Sequence, residues 1–227
     1  FERSALFGQF SSKYDAYLEA CLAEGGAMDD CAMGIGTEAR KAGKIFSKEE
    51  WRGMELFMAE NNNDGILEKG EGAMCAACHV ADWIAVADYE PLPVQSPAWA
   101  PAGMVPPVFT DFTYDNLGVP KSEHRLLSGS PVDLGLGPVV GDAAENGKFK
   151  VMSLRNIHQT APYGHNGFFK KLADITNFYN TRDVGDWPEP EYPDTVNTDE
   201  LGNLGLSKTD EEALVKFMKT LTDGYMP

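Results

Sequence analysis

Basic residues are scarce in this sequence. Lysine and arginine number 19 against 35 aspartates and glutamates, and the formal net charge of the 227 residues is −16 at pH 7. Because such a surface repels phosphate groups, we expect no nucleic-acid partner. Long-range attraction favours a partner protein with a basic contact patch, although a plain solvated acidic surface accounts for the same charge.

Long hydrophobic runs are also missing. No stretch approaches the roughly 18 consecutive apolar residues that a membrane-spanning helix needs, and no signal peptide is visible. We therefore expect no membrane span. Since the chain begins at Phe1 rather than at methionine, we expect a mature, processed or trimmed product.

Strong strand patterns are absent too, and the apolar periodicity is that of helices. We predict helices within residues 11–26, 47–60, 169–180 and 206–223. Six prolines lie in residues 91–107, and irregular chain continues to about residue 148. The sequence therefore predicts a mostly α fold with long irregular loops, which need a further group to organise them.

Cysteine and histidine are rare, with four of each, yet three of these eight residues fall within five positions in "CAACH". The spacing C-x-x-C-H is the attachment signature of c-type haem. One helical turn presents Cys75 and Cys78 to the two vinyl groups of a porphyrin, where they form thioethers. His79 then lies under the iron as its proximal ligand. The motif predicts one covalent haem c.

Two other functions of a Cys-x-x-Cys pair fit the sequence less well. A zinc half-site needs a second ligand pair, for which Cys21 and Cys31 are too distant. A redox dithiol needs a strand-to-helix context that is not found. Covalent haem attachment in bacteria is completed outside the cytoplasm, so we expect a periplasmic protein. In that oxidising compartment we expect a Cys21–Cys31 disulfide, with two buried free thiols as the alternative.

The sixth iron ligand is open on sequence grounds. Three methionines fall on apolar helical stripes and are predicted core residues: Met54, Met58 and Met218. Met104 lies in the proline-rich loop and is a candidate ligand. Met152 lies in a loop far along the chain from His79 and is the favoured candidate, with a core methionine as the alternative.

Several segments that follow "CAACH" resemble a known family. In order, they are "FTDFTYDNLGVP", "FKVMSLRNIHQTAPYGHNG", "LADITNFYN" and "EEALVKFMKTLTD". Together they resemble the C-terminal haem domain of bacterial di-haem cytochrome c peroxidases and the related MauG-like enzymes. The resemblance covers nearly the whole chain, with unfamiliar insertions near residues 60–72 and 91–107.

The resemblance implies a domain organisation. Residues 1–46 would form a linker-type helix and a disulfide-bearing N-terminal segment. Residues 47–227 would form the c-type haem domain, a cytochrome c-like helical domain whose long irregular loops wrap around one covalent haem. Since the sequence holds one C-x-x-C-H, the peroxide-reacting haem domain of the family would lie outside it.

The resemblance also implies an electron-transfer function. The C-terminal haem of the family takes electrons from a small redox donor protein and passes them to the peroxidatic haem. Two alternatives stay open, namely a stand-alone mono-haem electron carrier and a MauG-like oxidase component with a tyrosine-ligated haem. No catalytic acid or base pair can be assigned in this chain, so we expect electron transfer without peroxide turnover by the chain alone.

Further site residues follow from the resemblance. Tyr179 matches the distal position, which is methionine in the peroxidases and tyrosine in MauG. A phenolate would lower the haem potential, whereas Met152 would raise it, and we favour Met152 over Tyr179, over Met104 and over an open position. Arg155 would pair with a haem propionate, with a surface salt bridge as the alternative.

Calcium is expected at one loop by resemblance. "TAPYGHNG" matches a family loop that shares a calcium ion between two domains, where the backbone carbonyls of Thr160 and Pro162 would be ligands. His165 of this loop would be structural or lie near the domain interface.

A second calcium candidate comes from spacing. In "ENNNDGILEKGE" the EF-hand positions one, three, five, seven and twelve are held by Glu60, Asn62, Asp64, Ile66 (through its carbonyl) and Glu71. Gly65 occupies the sixth place, where the loop turns sharply. A glutamate in the first place departs from the pattern, and a polar turn is the alternative.

Overall fold

The computed structural model describes residues 9–86, 96–124, 126–127 and 129–226. Its α-helices are α1 (Lys13–Ala23), α2 (Met28–Met33), α3 (Gly36–Ala42), α4 (Lys48–Met58), α5 (Gly137–Val140), α6 (Leu172–Thr181) and α7 (Lys208–Lys219). Short 3-10 turns cover Gly43–Ile45, Cys75–Ala77, Ala143–Glu145 and Ile157–Gln159. The prediction of a mainly helical fold with long loops is confirmed, and none of the described helices is long and apolar enough to cross a membrane.

Strands are short and peripheral. β1 (Ile84–Ala85) pairs antiparallel with β2 (Met104–Val105), and β3 (Tyr114–Asp115) pairs antiparallel with β4 (Phe149–Lys150). In the first pair Ile84 faces Val105, and in the second Tyr114 faces Lys150. These ladders hold the long loops together without forming a sheet that could carry the core.

The core is built on the contact between α4 and α7. Both helices begin with a complete capping box, from Ser47 and from Ser207, which satisfies their first free backbone donors. At the crossing, a side chain on Gly53 would collide with the carbonyl of Ala213. Glycine at that position therefore lets the two backbones come close.

Aromatic side chains fill the space beside this crossing. The ring of Phe57 from α4 lies 5.3 Å from that of Phe217 of α7 and 5.7 Å from that of Phe109, which comes from a loop. Phe109 is fully buried although its backbone has a φ of 59°. A buried ring thus fixes a loop position that bears directly on the candidate site.

The N-terminal helices join the same core. Cys21 and Cys31 form a disulfide between α1 and α2, which confirms the predicted bond and excludes the free thiols. Tyr14 and Tyr17 donate hydrogen bonds to the carbonyls of Ala32 and Cys31, at 2.9 and 2.7 Å. One cluster of buried residues includes both α1 and α4, while the boundary between residues 46 and 47 stays a prediction.

A buried ion pair ties α1 to the loops. Nη1 of Arg155 lies 2.9 Å from both carboxylate oxygens of Asp15, and its Nε donates to the carbonyl of Pro107 at 2.7 Å. The two side chains are 10% and 2% exposed, and the guanidinium also lies over the ring of Phe109. The alternative to the propionate contact was a surface salt bridge; an ion pair is present, but α1 packs over Arg155 and buries it.

The inserted loop near residues 60–72 is held by asparagines. Asn61 donates to the carbonyls of Gly72 and Leu204, and Asn63 donates to those of Thr198 and Leu201. Amide side chains thus join this loop to residues 197–206. Glu200 in that segment lies close to Cys78 of "CAACH".

The buried ion pair gives a stability prediction. Arg155→Met leaves the carboxylate of Asp15 buried without its cation, and we expect the free energy of unfolding to fall by about 3–5 kcal/mol. Arg52→Met is the matched control, since it breaks the exposed pair with Asp210 and should cost no more than about 1 kcal/mol. Urea unfolding followed by circular dichroism measures both, and equal losses would contradict the account.

Candidate haem-binding site

The "CAACH" segment is positioned by the end of α4. The N–H of Ala73 donates to the carbonyl of Leu56 at 2.6 Å, and the N–H of Met74 donates to that of Ala59 at 3.0 Å. Met74 then takes a left-handed conformation, and the 3-10 turn Cys75–Ala77 follows. The expected helical turn is therefore a 3-10 turn, continued by a bond of 2.9 Å from the N–H of His79 to the carbonyl of Cys75.

His79 is oriented by the core. Its Nδ1 lies 3.0 Å from the carbonyl oxygen of Phe109, which can only accept a hydrogen bond. Nδ1 therefore carries the proton, and Nε2 keeps the free lone pair that a metal requires. Burial lowers the pKa of the imidazole, against the opposing effect of the Phe109 carbonyl, and this favours the neutral form that acts as a ligand.

The two cysteines are free thiols. Burial raises the pKa of Cys75 to about 12 and is also the largest reason why that of Cys78 rises to about 12. A redox dithiol would need the opposite shift, toward the thiolate. Among the described residues no three Cys, His, Asp or Glu side chains could hold a metal ion, which disfavours the zinc half-site. Haem attachment at this motif stays the prediction made from its spacing.

Glu200 lies unexpectedly close to the motif. Its Oε2 lies 4.0 Å from Sγ of Cys78, across a sequence separation of 122 residues. Asp111 and Asp115 also act on Cys78 through their charges. No sequence signal pointed to Glu200 or to the carbonyl of Phe109, because each acts through a contact between distant parts of the chain.

Tyr179 approaches the site from α6. Burial is the largest cause that raises the pKa of its phenol, and the charges of Cys75 and Cys78 raise it further. Its hydroxyl forms no hydrogen bond with any residue that the structure describes. The side chain is partly buried and is therefore an available oxygen donor beside the motif.

The methionines lie elsewhere. Met152 is 57% exposed. Met104 lies in β2 and is packed partly against the core. The predicted core positions are confirmed, since Met54 and Met218 are buried and Met58 packs against the same cluster.

Arg155 keeps one donor without a partner. Nη2 is buried and makes no hydrogen bond with the described residues, whereas Nε and Nη1 are used by Pro107, Ser12 and Asp15. The predicted contact with a haem propionate stays a prediction, and Nη2 is the group that would make it.

The loop with Thr160 and Pro162 leaves both backbone carbonyls without a hydrogen bond from the described residues. Such carbonyls suit calcium, but only two are found there, and this site stays a prediction. His165 packs as a structural residue would. Its ring stacks on that of Phe149 at 3.7 Å, and Nε2 lies 3.1 Å from Oε2 of Glu191.

In the EF-hand-like loop, side-chain oxygen atoms accept hydrogen bonds from the backbone of the same loop. Side chains of Asn62, Asp64 and Glu71 accept backbone N–H groups of Asp64, Ile66 and Glu68, at 3.2, 2.9 and 2.9 Å. The carbonyl of Glu60 accepts from Gly72. Gly65 does make the sharp turn, with a φ of 86°. These contacts match the polar turn, and calcium at this loop stays a prediction without support from a ligand cluster.

The residues present fit a haem. The two thiols make only long contacts, to the carbonyl of Ala73 at 3.6 Å and to Glu200 at 4.0 Å, and Nη2 of Arg155 is buried without a hydrogen bond among the described residues. The imidazole of His79 and the phenol of Tyr179 complete the set. Their chemistry is that of two anchors, one nitrogen ligand, one oxygen donor and one cation for a carboxylate.

Comparison with known proteins gives relatives for the site. No protein-family model matches the chain. Methylamine utilization protein MauG of Paracoccus denitrificans is 39% identical over 134 residues, which are 51% of this chain and 35% of that protein. Cytochrome-c peroxidase IdrP2 of Denitromonas iodatirespirans is 31% identical over 136 residues, or 51% of this chain and 34% of that protein. The matches thus span about a third of these relatives.

A solved structure extends the likeness to the fold. Diheme peroxidase BthA from Burkholderia thailandensis aligns with 97% of this chain and 48% of its own, with a TM-score of 0.60 and 24% identity. At that identity the alignment shows a shared fold. The two curated relatives confirm the resemblance stated from the sequence, since over about half of its length the chain is similar to MauG and to a cytochrome-c peroxidase.

Proposed function

We propose that this chain is the electron-transfer haem domain of a periplasmic, di-haem peroxidase-type oxidoreductase. It holds one covalent haem c, receives electrons from a small redox protein with a basic contact patch, and passes them to a second haem domain. The observation that carries the proposal is the imidazole of His79, held by the Phe109 carbonyl directly after two free thiols. Haem, when bound, supplies an iron centre that gains and loses one electron.

Each residue of the site then has a physical role. Cys75 and Cys78 anchor the porphyrin through thioethers, which lets the long loops fold around a fixed group. Phe109 orients His79 and raises its basicity through the hydrogen bond to Nδ1. Nη2 of Arg155 would donate to a propionate. Calcium at Thr160 and Pro162 would join this domain to the second one.

Tyr179 is better supported as the sixth ligand than Met152. The side chain of Met152 is 57% exposed, so little protein surrounds it that could hold it against a haem. Tyr179 is partly buried on α6, and its hydroxyl has no hydrogen bond with the described residues. Burial raises the phenol pKa, but coordination to a metal removes such a proton.

This geometry also favours a second candidate function. Tyrosine ligation lowers the haem potential relative to methionine ligation. The chain would then serve a MauG-like oxidase, in which oxidised iron is easier to reach, rather than a peroxidase with a high-potential donor haem. A stand-alone electron carrier is less well supported, because both curated relatives are about three times as long as the matched segment.

Electron transfer without peroxide turnover is the first test. We expect the haem-loaded chain to accept electrons rapidly from a basic c-type cytochrome. The rate should fall roughly tenfold or more between low and high salt, since the net charge of −16 steers the encounter. Stopped-flow absorbance measures this rate, with an acidic cytochrome as the control donor. Peroxide reduction at the rate of a two-haem relative would contradict the proposal.

The sixth ligand gives the second test. Tyr179→Phe removes the proposed oxygen ligand, so the absorption spectrum of the oxidised chain should change and the reduction potential should rise. Met152→Leu is the control of similar volume and should leave both unchanged. If Met152→Leu alters the spectrum while Tyr179→Phe does not, methionine is the ligand and the assignment is wrong.

A further inference from the structure

Three carboxylates surround the second cysteine of the motif. We call Asp111, Asp115 and Glu200 the Cys78 acidic cluster. Glu200 is the nearest, with Oε2 4.0 Å from Sγ. Asp111 is held by its own N–H, which donates to the carbonyl of Cys78 at 3.0 Å. Negative charge is therefore concentrated at the side of the motif where the second thioether would form.

Asn197 fixes the position of Glu200. Its Nδ2 donates to Oε2 of Glu200 at 2.6 Å and to Oδ2 of Asp115 at 2.7 Å. Its Oδ1 accepts from the N–H of Glu200 at 3.3 Å, and its own N–H donates to the carbonyl of Asn116 at 2.9 Å. One neutral amide therefore holds two carboxylates of the cluster together against their repulsion.

The charge of the cluster is not neutralised nearby. Within the described residues, none of the three carboxylates forms a salt bridge with a lysine or arginine. Glu200 is partly buried, so solvent screens its charge less than that of an exposed residue. Oε2 of Glu200 lies 4.0 Å from Sγ of Cys78, close enough for its charge to act on a group bound at that sulfur.

We propose that Glu200 tunes the haem potential from the edge of the porphyrin, through a carboxylate that Asn197 clamps beside the second thioether. The inference rests on the proposed function, since it needs haem at Cys78. Oxidised iron carries one positive charge more than reduced iron, and a fixed negative charge nearby stabilises it. A bound haem would exchange the electron, and Glu200 would act only through its charge. The carboxylate therefore lowers the reduction potential.

A redox titration of the haem-loaded full chain tests the proposal. We expect Glu200→Gln to raise the midpoint potential while the mass still shows one attached haem. Asp199→Asn is the matched control, because it removes the same charge one residue away from an exposed side chain. Its shift should be much smaller. Asn197→Ala should give a shift of the same sign as Glu200→Gln but smaller, because the carboxylate is retained and no longer clamped.

The outcomes separate this inference from the function on which it rests. A shift for Glu200→Gln no larger than for Asp199→Asn, or a shift downward, overturns the tuning role while leaving the haem assignment intact. A wild-type chain that carries no haem overturns both. If Glu200→Gln does not accumulate with haem, the potential of Glu200→Asp is measured instead. Its side chain is one methylene shorter, so the charge lies farther from Cys78. An upward shift supports the proposal, and an unchanged potential overturns it.

Discussion

The hydrogen bond between Nδ1 of His79 and the carbonyl of Phe109 is the contact on which the site depends. It connects the buried aromatic core to the imidazole that would bind the iron. The ring of Phe109 is fully buried among aromatic side chains of α4 and α7, so its backbone is as rigid as the core. The carbonyl on that backbone then decides which imidazole nitrogen is free. The helical core thus sets the chemistry of the site through one main-chain atom.

Charged side chains near this contact also affect the site. The guanidinium of Arg155 lies over the ring of Phe109 on one side, with Asp15 as its buried partner. On the other side of the motif, Glu200 and its neighbours place uncompensated negative charge beside Cys78. A haem held between them would meet a cation and anions at different points of its edge. The potential of its iron therefore depends on more than the two axial ligands.

Features that depend on residues close together in the chain could be predicted from sequence patterns. Apolar stripes at helical spacing located α4 and α7, and α1 and α6 lie within a few residues of their predicted bounds. The short helices α2 and α3 were missed, because six or seven residues give too little periodicity. The disulfide followed from the compartment in which haem is attached, and the structure confirms it.

Contacts between distant segments were not visible in the sequence. Met152 was favoured as a ligand because it lies in a loop far along the chain from His79; it stays a prediction, and its side chain is 57% exposed. Arg155 was expected to pair with a haem propionate, with a surface salt bridge as the alternative, and it forms a buried ion pair with Asp15 of α1. The acidic spacing of residues 60–71 suggested calcium, whereas its oxygens bond to the loop itself. In each case the residue type was informative and its surroundings were set by packing of remote residues.

Covalent haem at one turn of this chain is the central claim, and intact mass combined with a pyridine haemochrome spectrum tests it most directly. The purified chain should weigh one haem more than its polypeptide and show a c-type spectrum. The double variant Cys75→Ser, Cys78→Ser should weigh only as much as its own amino acids. A wild-type chain that is colourless and equal in mass to its polypeptide, after expression with a haem-attachment system, would contradict the account.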